Sequence, residues 1–147
     1  MFSQTAEYAL RAISLLAEHH PTPLKTSQIA EATRVPHPYL VKVLQSLSRA
    51  GIVQTRRGVG GGVSMARELD EVTMLDVINA VDPIERITRC PIGLAAHGVH
   101  LCPMHSRLDA ALESIEEVFQ QTTLAEILAE PQSARSQCKF PRVKVKR

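Results

Sequence analysis

From Thr5 to Glu18 the apolar residues Ala6, Ala9, Leu10, Ile13, Leu16 and Ala17 recur at helical spacing, which predicts a helix with one buried face. Pro21 and Pro23 then punctuate the chain. A second helix is expected from a Thr26 or Ser27 cap through Ala32, and Val35-Pro36-His37-Pro38 reads as the turn after it. A third helix follows from about Tyr39 to Arg49, with Leu40, Val43, Leu44 and Leu47 on its core face and Gly51 ending it. Ile52-Val53-Gln54-Thr55 and Val63-Ser64-Met65-Ala66 look like two short strands around a glycine-rich tip. Thr73 with Asp76 resembles a capping box that opens a helix to about Val81. Periodicity fails between Pro83 and Pro103, and the stretch from Arg89 to His105 reads as a loop. Leu108, Ala111, Leu112, Ile115, Val118 and Phe119 then restore a strong helical stripe, and Thr123 with Glu126 suggests one more capped helix.

These elements describe a mainly α fold with a small β-wing: a winged helix-turn-helix followed by a long C-terminal helix suited to pairing with a second copy across a two-fold axis. Residues 1–82 are expected to form the DNA-binding domain and 83–105 a metal-binding loop. Residues 106–130 would form the dimerisation helix and the helix after it, and 131–147 a basic, disordered tail. Double-stranded DNA is the expected partner. In such a motif the second helix enters the major groove, and its early outward positions here are His37, Tyr39, Val41, Lys42 and Gln45. Gln45 suits an adenine edge, and Lys42 a guanine or a phosphate. The tip Thr55-Arg56-Arg57-Gly58-Val59-Gly60-Gly61-Gly62 adds two arginines beside glycines that permit positive φ and close approach to a phosphate backbone. Gly58, Gly60 and Gly61 are the tip positions assigned to this contact.

The net charge of +2 divides unevenly, which sharpens this picture. Residues 25–67 carry seven Lys or Arg against Glu31 alone, a net +6, whereas residues 68–130 carry three arginines against twelve acids, a net −9. The basic patch is therefore local, and its acidic neighbour serves another purpose. No run approaches the roughly 18–20 apolar residues needed to span a bilayer, and Met1-Phe2-Ser3-Gln4-Thr5 shows no basic flank and apolar segment, so no membrane association and a cytoplasmic location are expected. Three cysteines, an odd number, argue against a secreted disulfide framework.

Cys90, Cys102, His97, His100 and His105 place five metal-ligand side chains within sixteen residues. Iron-sulfur clusters and zinc both accept thiolate and imidazole, so ligand type alone does not choose between them, and the cysteines could equally be small buried hydrophobes. A zinc site would close with Cys90, Cys102, His97 and His105. Cys138, among polar and basic residues of the tail, reads as a free thiol. An enzyme with a cysteine nucleophile and a histidine base is disfavoured, because no oxyanion element or pocket-forming scaffold accompanies the pair.

Over residues 1–130 the chain resembles the Rrf family of winged-helix regulators, which includes the iron-sulfur assembly regulator and the nitric-oxide-responsive repressor. The resemblance is carried by Glu7-Tyr8-Ala9-Leu10-Arg11-Ala12, by Tyr39-Leu40, and by Leu47 through Gly51 into Arg57-Gly58-Val59-Gly60-Gly61-Gly62. Cys102-Pro103-Met104-His105 and Thr122-Thr123-Leu124-Ala125 follow in family order. It implies a homodimeric transcriptional regulator, commonly a repressor, that binds a partly palindromic promoter and senses redox state, nitric oxide or iron-sulfur status through a bound cluster, with the two-iron form favoured. Cluster-binding members commonly carry three cysteines six apart; here the middle position is Ala96. The ligand set implied is Cys90, Cys102 and His105, with Glu7 from a partner subunit or His97 as the fourth. The alternative is a cluster-free regulator that responds through cysteine oxidation, zinc or a protein partner.

Overall fold

The computed structural model describes residues 2–91, 93, 100–130 and 143. Helix α1, Gln4–Glu18, starts where the Ser3 hydroxyl accepts the Ala6 N–H at 3.2 Å. Its buried face is rich in alanine (Ala6, Ala9, Ala12, Ala17), so neighbouring elements approach the axis closely. Helix α2, Thr26–Thr33, begins after Lys25, one residue before the expected cap. The cause lies upstream: Leu24 exchanges two backbone hydrogen bonds with Val63, at 2.9 and 2.8 Å, which holds the chain extended up to the helix. The Gln28 side chain then accepts the Lys25 N–H at 2.8 Å.

Helix α3, His37–Arg49, takes in His37 and Pro38, which the sequence pattern assigns to the turn. Pro38 fits because first-turn N–H groups have no intrahelical acceptor, so its missing donor costs nothing there. Leu40, Val43, Leu44 and Leu47 are all buried, as their spacing predicts. The helix ends in a Schellman arrangement: Gly51, at φ +72°, donates to the Ser48 carbonyl and Ile52 to the Leu47 carbonyl, both at 3.0 Å.

Strands β1, Val53–Arg56, and β2, Gly62–Met65, pair antiparallel with Val53 opposite Met65 and Arg56 opposite Gly62. Each lies one residue nearer the tip than expected, because the Ile52 N–H is taken by α3 and the ladder runs on to the glycines. Helix α4, Met74–Val81, opens with the expected box, the Thr73 and Asp76 side chains each accepting the other's backbone N–H at 3.1 Å. Helix α5, Pro103–Gln121, and helix α6, Leu124–Ala129, complete the described elements. Backbone bonds from Met74 to Thr122 (2.9 Å) and from Leu124 to Val72 (3.0 Å) tie the α5–α6 corner to the start of α4. Leu124 consequently joins Ile13, Leu16, Leu24, Leu47, Val72 and Val77 in one core. Each such buried side chain contributes about 1.5–3 kcal/mol against the unfolded chain. On α5 only His105 is buried; Met104, Leu108 and Val118 are exposed.

Candidate functional site

Two surfaces carry chemistry. On the first, α3 buries its apolar face and turns the other outward, leaving His37, Tyr39, Lys42 and Gln45 exposed and Val41 half-buried. The Tyr39 ring rests against Tyr8 of α1, with centroids 6.2 Å apart. A groove of about 500 Å³ separates α3 from the start of α2 and the wing, and Thr26, Val41, Gln45, Ser48, Arg49 and Thr55 are among its walls. Ser48, Arg49, Thr26 and Thr55 are absent from the residues assigned from sequence. Helical spacing is the signal for two of them, since Ser48 and Arg49 lie one turn on from Gln45 along the outward face.

The wing glycines meet different surroundings. Gly58 and Gly60 adopt φ +96° and +76° with open space where a Cβ would sit. A Cβ on Gly61 would collide with the Arg56 carbonyl, and one on Gly62 would stand 2.5 Å from the Leu24 carbonyl oxygen. The glycines therefore do different jobs: Gly58 and Gly60 shape the tip, Gly61 makes room for the Arg56 carbonyl, and Gly62 lets Leu24 clasp β2. Arg56 and Arg57 are exposed beside the tip, and Val59 at its end is fully exposed.

The second surface lies at the start of α5. The sequence pattern places Cys102 and His105 in a loop, but Cys102 stands at the N-cap position of α5 without a side-chain capping bond, Pro103 takes the first helical position and His105 the third. Cap and third positions face one another, so the Cys102 Sγ lies 3.2 Å from the His105 Nδ1. The Cys90 Sγ approaches the same nitrogen at 4.0 Å from fifteen residues away in the chain. His105 is buried, both cysteines are half-buried, and neither forms a disulfide.

An ion pair joins the segment just before Cys90 to α5. The Arg86 guanidinium donates from Nε and Nη2 to the two oxygens of Asp109, both at 2.7 Å, and the Ile87 N–H reaches the same carboxylate at 2.8 Å. Glu116 at 3.3 Å and Glu113 at 3.5 Å surround the remaining nitrogen. Hydrogen bonding from Arg86 holds the Asp109 carboxyl below its ordinary range against the opposing effect of desolvation, and the same contact raises Arg86.

Of the remaining ligand candidates, the described ones, Glu7 and His100, are not joined to this group within one chain. Glu7 stands in the first turn of α1, half-exposed, and accepts from Arg11 Nε at 2.9 Å. His100 is exposed. His97, Ala96 and Cys138 lie outside the described residues, as does the basic tail apart from Val143, which is half-buried against the core. Among the described residues no group of three or more His, Cys, Asp or Glu side chains is arranged to hold a metal ion. Two thiols and an imidazole nevertheless suit a cluster in donor chemistry, one ligand short of the usual four.

Residues 2–130 match the Rrf2 family model, described as an iron-dependent transcriptional regulator. An HTH-type transcriptional regulator of Aquifex aeolicus is 30% identical over 131 residues, covering 87% of this chain and 91% of the relative. The HTH-type transcriptional regulator NsrR of Geobacillus kaustophilus is 30% identical over 138 residues, covering 88% and 90%. Among solved structures, T. potens IscR superposes with a TM-score of 0.73 at 26% identity, over 97% of this chain and 93% of that one. Among the described residues no helix is long and apolar enough to cross a membrane. The chain thus belongs to the Rrf2 family and is a transcriptional regulator with a winged-helix DNA-binding fold, not an enzyme.

Proposed function

We propose that the protein is a cytoplasmic homodimeric repressor whose grip on promoter DNA follows the state of an iron-sulfur cluster held by Cys90, Cys102 and His105. The observation that carries this reading is the convergence of two thiols on one buried imidazole nitrogen, at 3.2 and 4.0 Å. The description of the family as iron-dependent supports it, as do relatives that bear the names IscR and NsrR. Glu7 of a partner subunit, or His97, supplies the fourth ligand. When bound, the cluster supplies one-electron redox chemistry and a centre open to oxygen or nitric oxide.

The chain's own residues do the rest. α3 lies in the major groove, where His37, Tyr39, Lys42 and Gln45 meet base edges or phosphates and Val41 packs against the groove floor. Arg56 and Arg57 hold the backbone beside the wing, whose Gly58, Gly60 and Gly61 admit close approach. His105 and Cys102 sit on the first turn of α5, and the far end of that helix is tied to Val72 and Met74 of the DNA-binding unit. A shift at the ligands therefore has a stiff path to α3, and a ligand from the partner would couple it to the spacing of the two reading helices.

Protein purified without oxygen, beside Cys102→Ala, tests this. We expect iron, sulfide and a visible charge-transfer band, all lost in the variant. A colourless, iron-free protein after reconstitution would instead favour a second reading built on the same 3.2 Å pair, in which Cys102 beside His105 responds through thiol oxidation or zinc without a cluster.

A further inference from the structure

We propose that Arg86 is a positioning residue for the ligand group: by clamping the segment that bears Cys90 to α5, it sets the distance from Cys90 to Cys102 and His105. This rests on the reading that those three residues hold an inorganic group. Cys102 and His105 need no such help, since they are three residues apart at one helix terminus. Cys90 approaches the same imidazole from fifteen residues away in the chain. It follows α4 in a stretch, residues 82–91, that lies in no helix or strand.

Arg86 is four residues before Cys90, and Asp109 is one helical turn beyond His105. The clamp and the ligands thus sit in parallel across the same two pieces of chain. Three observations mark it as built for holding. Its two guanidinium–carboxylate bonds are both 2.7 Å, the fork geometry that fixes orientation as well as distance. The Ile87 N–H reaches the same carboxylate, so backbone as well as side chain is fixed. Glu113 and Glu116 close around the same cation, so one arginine offsets three carboxylates on successive turns of α5. Without it those acids would repel one another.

The test uses full-length protein with Arg86→Gln, Arg86→Lys and Asp109→Asn, and with Arg107→Gln as a control that removes an exposed charge from α5 outside the clamp. In the metal-free proteins, iodoacetamide alkylation is followed separately at Cys90 and Cys102 by peptide mass. In proteins reconstituted with ferrous iron and sulfide, the visible band is followed during chelation. We expect Arg86→Gln and Asp109→Asn to speed alkylation of Cys90 while leaving Cys102 near the unmodified rate. Iron retention should fall about 10- to 100-fold, as when the outer partners of metal ligands are removed. Arg86→Lys, which keeps the charge but loses the fork, should fall between, and Arg107→Gln should match the unmodified protein. An unchanged Cys90 rate overturns the proposal. So does an equal rise at both cysteines, which would show general loosening of α5. If the unmodified protein takes up no iron and sulfide, the cluster reading fails, while the alkylation ratio still decides the clamp.

Discussion

Gly51 and Gly62 both have positive φ, yet they are glycines for different reasons, and substitution should separate them. At Gly51 nothing lies within 4 Å of where a Cβ would sit, so alanine meets only backbone strain at φ +72°, about 1–2 kcal/mol. At Gly62 a Cβ would meet the Leu24 carbonyl, so Gly62→Ala must break the Leu24–Val63 pairing as well. We expect the larger loss of thermal stability, upwards of about 3 kcal/mol, for Gly62→Ala, together with loss of DNA binding through a displaced wing. Equal melting temperatures for the two variants would contradict that assignment. Asp109 makes a second prediction. Its carboxyl is held below the ordinary 3.8 chiefly by hydrogen bonding from Arg86. Because the folded value is depressed, the stabilisation is present above 3.8 and is lost as pH falls through the lower folded value. Asp109→Asn should therefore be less stable near neutrality and lose less on acidification than the unmodified protein, read from denaturation midpoints between roughly pH 6 and 2.

Among the elements, α3 and the wing are legible in the sequence because they rest on local signals. Apolar spacing sets the buried face of α3, Gly51 sets its end, and the paired boxes at Thr73 and Thr123 set the starts of α4 and α6. Signals of longer range escape such reading. The Leu24–Val63 pairing fixes the start of α2 and makes Gly62 obligatory, but Leu24 carries no mark of a strand. Nor does the chain announce that Cys102 takes the N-cap position of α5, since a cysteine is unusual there and the residues before it show no periodicity. The Arg86 clamp spans 23 residues, beyond any spacing rule. For the reading helix, salt dependence should sort the residues. Lys42→Ala should weaken binding to all sequences and lower the salt slope by about one if it meets a phosphate, whereas Gln45→Ala should cost about 1–3 kcal/mol on the operator alone. A Gln45→Ala loss equal on operator and unrelated DNA would remove Gln45 from base reading.

At the scale of the whole molecule, the basic stretch 25–67 holds α3 and the wing, and the acidic stretch 68–130 holds α5 and the Cys90, Cys102 and His105 group. Met104, Leu108 and Val118 form an apolar row along α5 that is exposed among the described residues. Pairing of two copies along it would set the distance between two α3 helices. Leu108→Glu with Val118→Glu should then yield monomers by sedimentation and weaken operator binding while α3 stays intact; an unchanged dimer would place the interface elsewhere. The measurement that bears most directly on the proposed function is operator affinity, without oxygen, of one preparation before and after its cluster is stripped, with iron and sulfide assayed in each. We expect the two forms to differ by about 5- to 150-fold, the usual range of coupling between two sites, and the difference to vanish in Cys102→Ala. Equal affinity of the loaded and stripped forms would contradict cluster-controlled DNA binding.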